Sequence, residues 1–352
     1  MANKVKLKDI AAMAGVSVGT VDRILHNRGR FSAETKAVVE KIIEDTGYRC
    51  NLHVSAISLR KELRFAVAIP VSSPGDYWGL IADGIAQARH DYMDMPLTID
   101  YIYYDQYDSA ACLDAFLSVP ETRPDAVIIG SIFADATRIL CEGLAAEGIP
   151  YFFVDSFVSG TSPIAGFLAD QYACGSLVAS LLHKMTPAGS DILVLDMERR
   201  GKVHSSNFIA RREGIVSYLT REGMDRRLIE AAFSVAEADE NRELRRLLSL
   251  ESGISGIAVM NSRGHIVADI LKDMGRSDIK LVGFDITLQN AQRCRDGSMT
   301  ALIGQRPEKQ GYDVVVAAIS YVLYGKCDSE TTTYLPIDVV FRENLSYYGT
   351  DL

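Results

Sequence analysis

Short apolar runs alternate with amphipathic stretches of helical spacing along most of the chain, and this alternation limits the possible folds more than any other feature. Continuous apolar runs are typical of strands buried on both faces, and strands that alternate with helices form parallel sheets covered by helices. The pattern predicts strands at 65–70, 98–103, 126–129, 151–154, 191–195, 257–260 and 280–284. It predicts helices at 78–93, 109–117, 134–147, 171–185, 206–222 and 265–274. The roughly 290 residues from residue 64 to the end of the sequence are enough for two such lobes.

Polar or aromatic side chains follow the predicted strands at corresponding places. In open α/β sheets, ligands bind beyond the carboxyl ends of the strands. The candidates there are Asp76, Tyr77, Trp78, Ser131, Asp155, Asn261, Asp285 and Gln305. Carboxylates, amides and aromatic faces bind polyhydroxylated molecules by paired hydrogen bonds and stacking. Two alternatives stay open: Asp155 and Asp285 could cap helices, and Tyr77 and Trp78 could be core residues.

The first part of the chain differs in charge from the rest. Residues 1–64 carry 12 basic and 7 acidic side chains, whereas the whole chain has a net charge of −9. A basic head on an acidic body favours nucleic-acid binding by the head, although a solvated helical surface is the alternative.

Three short helices are predicted in this head. Gly15 ends the first helix at about residue 14, Ser17 caps the second, which runs over about 18–26, and Ser32 caps the third. The buried stripe of the third helix is predicted to be Val38, Val39, Ile42 and Ile43. Two helices joined by a four-residue turn, with a third beside them, form a helix-turn-helix arrangement.

The head resembles the LacI family of repressors in the runs Asp9-Ile10-Ala11, Ala14-Gly15-Val16-Ser17 and Thr20-Val21-Asp22-Arg23-Ile24-Leu25. The resemblance implies that bases are contacted by Val18, Gly19 and Arg23, and that DNA backbone or flanking positions are contacted by Thr20, His26 and Arg30. The sequence departs from the family pattern at Asp22, which replaces a Ser, and at Gly19, which lacks a specificity side chain.

Residues 49–63 are expected to form a hinge. Tyr48 and Asn51 match the family's Tyr-x-Pro-Asn start, while Cys50 replaces the Pro. The resemblance places Ile57 where a Leu enters the minor groove, and an apolar wedge is reasonable there. The alternative is that Ile57 packs the hinge helix against its partner.

The body resembles the ribose-type periplasmic sugar-binding fold over nearly all of 64–341. The matching pieces include Asp83-Gly84, Val154-Asp155, 210–215, 259–261, 282–285 and Gln305-Arg306-Pro307. The resemblance implies that Tyr77 and Trp78 stack on a ligand. It implies that the ligand is hydrogen-bonded by Asp155, Arg211, Asn261, Asp285 and Gln305. Ser156 and Ser262 stand where the family often has Arg and Asp.

The fold class expected from these features is a small all-α helix-turn-helix domain followed by an α/β two-lobed, type I periplasmic-binding-protein-like domain with parallel sheets. The domains are a head at 1–48, a hinge at 49–63 and an effector domain at 64–352. Lobe 1 takes about 64–168 and 305–330, and lobe 2 takes about 169–304 and 331–352.

Several function classes lack their sequence signatures. There is no Gly-x-Gly-x-x-Gly, phosphate loop or Gly-x-Ser-x-Gly elbow, and the six histidines show no metal-ligand spacing. The run Arg199-Arg200-Gly201-Lys202 is predicted to be a basic surface turn rather than a phosphate site. The six scattered cysteines fit a reducing cytoplasm, and neither a signal peptide nor a membrane span is expected.

These features together predict a cytoplasmic, DNA-binding and ligand-responsive transcriptional regulator of the repressor type. We expect it not to be an enzyme and to have no cofactor or metal. The expected partners are a near-palindromic double-stranded DNA operator, a small sugar-like effector and a second copy in a homodimer, with no membrane. The alternatives are control by a protein or phosphorylated co-effector, or a sugar-metabolising enzyme with a fused DNA-binding head.

Overall fold

The computed structural model describes residues 7–25, 31–46, 62–199, 204–235, 241–327 and 331–349. The predicted site residues His26, Arg30, Asn51 and Ile57 lie outside these ranges, as does nearly all of the predicted hinge. No helix in the described ranges has the length and apolar character needed to cross a membrane.

The head contains three helices, α1 (Leu7–Ala14), α2 (Val18–Leu25) and α3 (Ala33–Thr46). Gly15 follows α1 with a φ of +64°, and the Oγ atoms of Ser17 and Ser32 each accept a backbone N–H three residues on, both at 3.1 Å. These caps confirm the predicted helix starts. Val38, however, is 45% exposed while Val39 is fully buried. Neighbouring residues on a helix point about 100° apart, so only one of them faces the small core.

Lobe 1 is a six-stranded parallel sheet with the order β11-β5-β4-β3-β1-β2. The elements of this part of the chain are β1 (Leu63–Pro70), α4 (Tyr77–Asp91), β2 (Leu97–Tyr104), α5 (Ser109–Leu117), β3 (Ala126–Gly130), α6 (Ala134–Ala146), β4 (Tyr151–Asp155) and β5 (Ala165–Leu168). Two later elements complete the lobe, α12 (Pro307–Tyr324) and β11 (Thr332–Tyr334).

Lobe 2 has a second six-stranded sheet with the order β12-β10-β9-β8-β6-β7. Its elements are α7 (Gln171–Met185), β6 (Asp191–Met197), α8 (Ser206–Arg221), β7 (Leu228–Phe233), α9 (Arg242–Leu250), β8 (Ile254–Val259), α10 (Gly264–Asp273), β9 (Lys280–Phe284), α11 (Leu288–Arg295), β10 (Ala301–Gly304) and β12 (Asp338–Val340). The edge strand β12 pairs antiparallel with β10, whereas the other described pairings in the two sheets are parallel, as predicted. A parallel partner needs a long crossover, whereas β12 enters directly from β11 through a short connection.

The chain passes between the lobes three times, after β5, after β10 and after β11. Because β11 pairs with β5 in the first sheet, the last passage falls between Tyr334 and Asp338. The boundary predicted at residue 331 is therefore a few residues too early. The sequence pattern missed it because strands of three residues carry little periodicity.

Two helix pairs cover the lobes next to the passages, α4 with α12 and α7 with α8. In the second pair, a Cβ atom on Gly175 would collide with the backbone carbonyl of Arg211. Only glycine permits this close approach, which fixes the position of Arg211 relative to the sheet.

Candidate ligand-binding cleft

A cleft lies between the lobes at the carboxyl ends of the strands. All eight of the predicted ligand-contacting residues line it: Tyr77, Trp78, Ser131, Asp155, Arg211, Asn261, Asp285 and Gln305. The space between these side chains, including the part open to solvent, measures about 460 Å³. Eight further residues line it: Gln106, Ile132, Met197, Arg199, Ser205, Asn207, Met260 and Ser262.

Asp155, the last residue of β4, supplies a buried carboxylate on the lobe 1 side. The hydroxyl of Tyr77 donates to its Oδ1 at 2.6 Å, and Nδ2 of Asn207 donates to its Oδ2 at 2.8 Å. Burial raises the pKa of Asp155, while these two donors and Arg211 lower it. The backbone φ of +72° is uncommon for a residue other than glycine and turns the side chain out of the strand into the cleft.

Asp285 follows β9 and has nearly the same backbone conformation, with a φ of +68°. Nε2 of Gln305 donates to its Oδ1 at 2.6 Å. Burial raises the pKa of Asp285 to about 7, against the opposing effects of Arg211 and Gln305. The helices that follow the two strands are capped by Asp170 and Thr287, so Asp155 and Asp285 are not their caps.

Arg211 lies on α8 with its side chain buried beneath the cleft floor. Its guanidinium donates to Gln171 Oε1 at 2.8 Å, to the Met260 carbonyl at 2.7 Å and to Gln305 Oε1 at 3.0 Å. It also stacks 3.7 Å from the ring centre of Phe284. Gln305 thus links Arg211 to Asp285, and the arginine is oriented by amides and a carbonyl.

The side-chain amide nitrogen of Asn261 is a hydrogen-bond donor without a partner among the described residues. Its Oδ1 accepts the backbone N–H of Arg263 at 2.9 Å, while its buried Nδ2 has no hydrogen-bond partner there. A buried amide N–H without a partner destabilises the fold by about 1–3 kcal/mol. A ligand oxygen in the cleft would satisfy it.

Tyr77 and Trp78 begin α4 and place aromatic surface in the cleft. Both are 6% exposed, and their rings meet edge to face at 5.5 Å. Burial is the first of the effects that raise the pKa of Tyr77 well above its usual value, so its hydroxyl stays a donor to Asp155. The two rings belong to the lobe 1 core and line the cleft at the same time.

Within the described residues, two polar contacts between side chains join the lobes across the cleft, beside the longer hydrogen bond from Gln171 Nε2 to the Asp155 carbonyl. The guanidinium of Arg263 in lobe 2 makes a bidentate ion pair with Asp76 in lobe 1, at 3.0 and 3.2 Å. The hydrogen bond from Asn207 to Asp155 is the second. The lobes are therefore in a closed arrangement.

Sequence reasoning missed Gln171, Asn207 and Arg199. Gln171 is the first residue of α7 and follows the short strand β5, which the sequence pattern did not show. Asn207 lies in the first turn of α8, opposite Asp155. A predicted helix start directly after an interlobe passage would have been the signal for Gln171.

The predicted DNA-contacting residues that the structure describes lie on α2. Val18, Gly19 and Arg23 are exposed and Thr20 is half-buried. Arg23 donates to the Gly19 carbonyl at 3.0 Å and to Thr20 Oγ1 at 3.2 Å. Its guanidinium is thus held along its own helix, with two of its five N–H donors in use.

Comparisons with known proteins match both parts of the chain. Residues 65–326 match the family described as periplasmic binding protein domain, and residues 6–51 match the bacterial regulatory proteins of the lacI family. The chain is 24% identical over 300 residues to a sucrose operon repressor of Pediococcus pentosaceus, covering 81% of this chain and 83% of that protein. It is 33% identical over 180 residues to the regulator MalR of Streptococcus pneumoniae, covering 48% of this chain and 53% of that regulator.

Solved structures share the two-lobed architecture. A LacI transcriptional regulator from Bacteroides fragilis superposes with a TM-score of 0.77 at 25% identity, covering 82% of this chain and 100% of that chain. A glucose-galactose binding protein from Geobacillus stearothermophilus superposes with a TM-score of 0.70 at 18% identity, covering 81% and 99%, which shows the fold alone. The curated relatives named above are transcriptional regulators, not enzymes. Over residues 65–326 the chain therefore belongs to the periplasmic binding protein domain family, and its head at 6–51 is that of the bacterial regulatory proteins of the lacI family.

Proposed function

We propose that a small, sugar-like effector binds in the cleft and sets the affinity of the head for its operator. The observation that carries the proposal is the convergence of the eight predicted residues in one interlobe cleft. They include carboxylate acceptors, amide donors and two aromatic rings, which are the groups that bind polyhydroxylated molecules. The related repressors of sucrose and ribose operons support a sugar as the effector class.

The binding roles follow from the hydrogen-bond donors and acceptors of the site that can still take a partner. Asp155 and Asp285 accept hydrogen bonds from ligand hydroxyls, and Nδ2 of Asn261 donates one. Arg211 is already oriented by Gln171 and Gln305, so its remaining N–H groups meet the ligand at little entropic cost. Tyr77 and Trp78 cover the apolar face of a sugar ring.

The coupling between effector binding and DNA binding follows from the position of the ligand between the two lobes. A ligand that contacts both lobes favours their closed arrangement over an open one. Closure changes the spacing of the chain segments that lead to the heads. We infer that the protein acts in the cytoplasm as a homodimer, whose two heads contact the half-sites of a near-palindromic operator. A coupling free energy of about 1–3 kcal/mol changes operator affinity by about 5–150-fold.

The experiment uses Trp78, the only tryptophan of the chain, as a reporter inside the cleft. A panel of sugars is titrated while tryptophan fluorescence and melting temperature are recorded. A ligand at about 100 times its dissociation constant stabilises the fold by about 2.7 kcal/mol. Saturable fluorescence changes with a raised melting temperature support the proposal. The absence of both across neutral and acidic sugars contradicts it.

The test variant is Asp285→Ala. Its matched control is Asp135→Ala, at an exposed site whose side chain is 98% accessible. The first variant should lose ligand binding, and the second should keep it. If Asp285→Ala binds the ligand as wild type does, the assignment of this cleft fails.

A further inference from the structure

Arg199 lies in the cleft and not on the surface, where the sequence pattern predicted it to be. The run that begins with Arg199 was expected to be a basic surface turn, but the Arg199 side chain is 3% exposed and lines the cleft. The expectation is wrong for this residue, because the chain after β6 passes along the cleft instead of out to solvent. The rest of the run, at 200–202, lies outside the described residues.

The guanidinium of Arg199 is incompletely paired. Its Nη1 is 3.4 Å from both oxygens of the buried Asp196, which is long for a charge-assisted hydrogen bond. The Asp196 carboxylate is shared with two closer partners, the Met197 N–H at 2.8 Å and His204 Nδ1 at 2.9 Å. The Nε of Arg199 is buried and has no hydrogen-bond partner within the described residues.

Arg211, which also lines the cleft, and Arg263, whose side chain joins the lobes, have more of their donors in use. Arg211 makes three hydrogen bonds of 2.7–3.0 Å, and Arg263 makes its bidentate pair with Asp76. An unpaired donor on a buried cation is more unfavourable than one on a neutral group. Among the described residues, Arg199 is therefore the cleft cation with the most unused hydrogen-bonding capacity for an acidic ligand group.

The surroundings of Arg199 suit an anion. Ser205 and Asn207, which also line the cleft, stand at the start of α8, whose sixteen residues place a partial positive charge there. The guanidinium fork matches a carboxylate or phosphate in planar, paired hydrogen bonds. The sugar-binding groups Asp155 and Asn261 line the same cleft.

We propose that the effector is an acidic sugar, a polyol that carries a carboxylate or a phosphate, and that Arg199 holds the acidic group. This inference rests on the proposed function, because it names the ligand class of the same cleft. The polyol part occupies the acceptors Asp155 and Asp285, and the acidic part completes the hydrogen bonding of Arg199.

The test compares each neutral sugar with its acidic forms. D-Glucose, D-glucuronate and D-glucose 6-phosphate form one set, and D-galactose, D-galacturonate and D-galactose 6-phosphate form another, with inorganic phosphate as an additional probe. Affinity is measured by calorimetry and by Trp78 fluorescence. An acidic form should bind at least about 10-fold more tightly than its neutral parent, as expected for a charged hydrogen bond. The carboxylate and phosphate sets show which acidic group fits.

Two variants assign that preference to Arg199. Arg199→Gln should remove the advantage of the acidic form, and Asp196→Asn combined with Arg199→Gln removes both buried charges so that folding is preserved. Arg212→Gln, at a half-exposed arginine on α8 paired with Glu230, is the control and should keep the preference.

Three outcomes overturn the inference. Neutral sugars that bind as tightly as their acidic forms refute the acidic subsite but leave a sugar effector in place. A preference that survives in both Arg199 variants refutes the role of this residue. Binding of none of these sugars refutes the inference together with the proposed function.

Discussion

Replacing Asp285 by Asn should change how the stability of the protein depends on pH. Burial raises the pKa of Asp285 from 3.8 to about 7, so the folded protein holds this proton more tightly than the unfolded chain. Stability from this group is fully present below about pH 4 and is lost as the pH rises through about 7. Since each tenfold difference in proton affinity corresponds to about 1.4 kcal/mol, the full loss is about 4 kcal/mol.

The Asp285→Asn side chain resembles the protonated carboxyl, because its amide oxygen still accepts from Gln305. The variant should match wild type near pH 4 and exceed it by up to about 4 kcal/mol near pH 8. Urea unfolding of both proteins at pH 4 to 8 measures this margin, with Asp135→Asn at an exposed site as the control. A margin that is the same at every pH refutes the reasoning, since it would show that Asp285 titrates alike in the folded and unfolded states.

Further predictions concern the helix packing, the lobe contact and the head. Gly175→Ala should lower the free energy of unfolding by about 1–3 kcal/mol, because its Cβ would meet the Arg211 carbonyl. Gly143→Ala, where the Cβ meets open space, should raise it by about 0.5–1 kcal/mol in the same denaturation assay. Asp76→Asn should weaken effector binding by calorimetry about three- to tenfold, with little change in unfolding free energy, because it breaks the partly buried ion pair between the lobes. Arg23→Ala should weaken binding to the cognate operator by about 1–3 kcal/mol and leave binding to random DNA unchanged; equal losses of affinity for both DNAs would contradict its role. Arg30→Ala should weaken binding to both DNAs and reduce the slope of log affinity against log salt concentration by about one unit.

The sequence was most informative where a strand ends. Asp155, Asp285 and Gln305 each follow or close an apolar run, and parallel strands bring their carboxyl ends to one edge. That rule alone placed these side chains in one cleft, without knowledge of any distance. The head was predictable for a similar reason, because Gly15 and Ser17 mark helix ends through local backbone chemistry.

Other features depend on tertiary structure that no local pattern encodes. Strand β5 spans only Ala165–Leu168, too short for a periodic signal, so Gln171 just beyond it was not recognised. Arg199 follows a strand in a polar, charged run that is typical of exposed turns, and only the path of the chain along the cleft buries it. The antiparallel direction of β12 is set by the third passage between the lobes, which the sequence pattern does not specify.

Control of DNA binding from the cleft is the central claim, and an operator titration tests it most directly. Fluorescence anisotropy of a labelled operator is measured against the wild-type protein, without ligand and with the sugar that raises the melting temperature most. We expect the dissociation constant for the operator to change by about 5–150-fold, in either direction, and Asp285→Ala to abolish the change. A sugar that saturates the cleft, as reported by Trp78 fluorescence, yet leaves operator affinity unchanged would contradict the account.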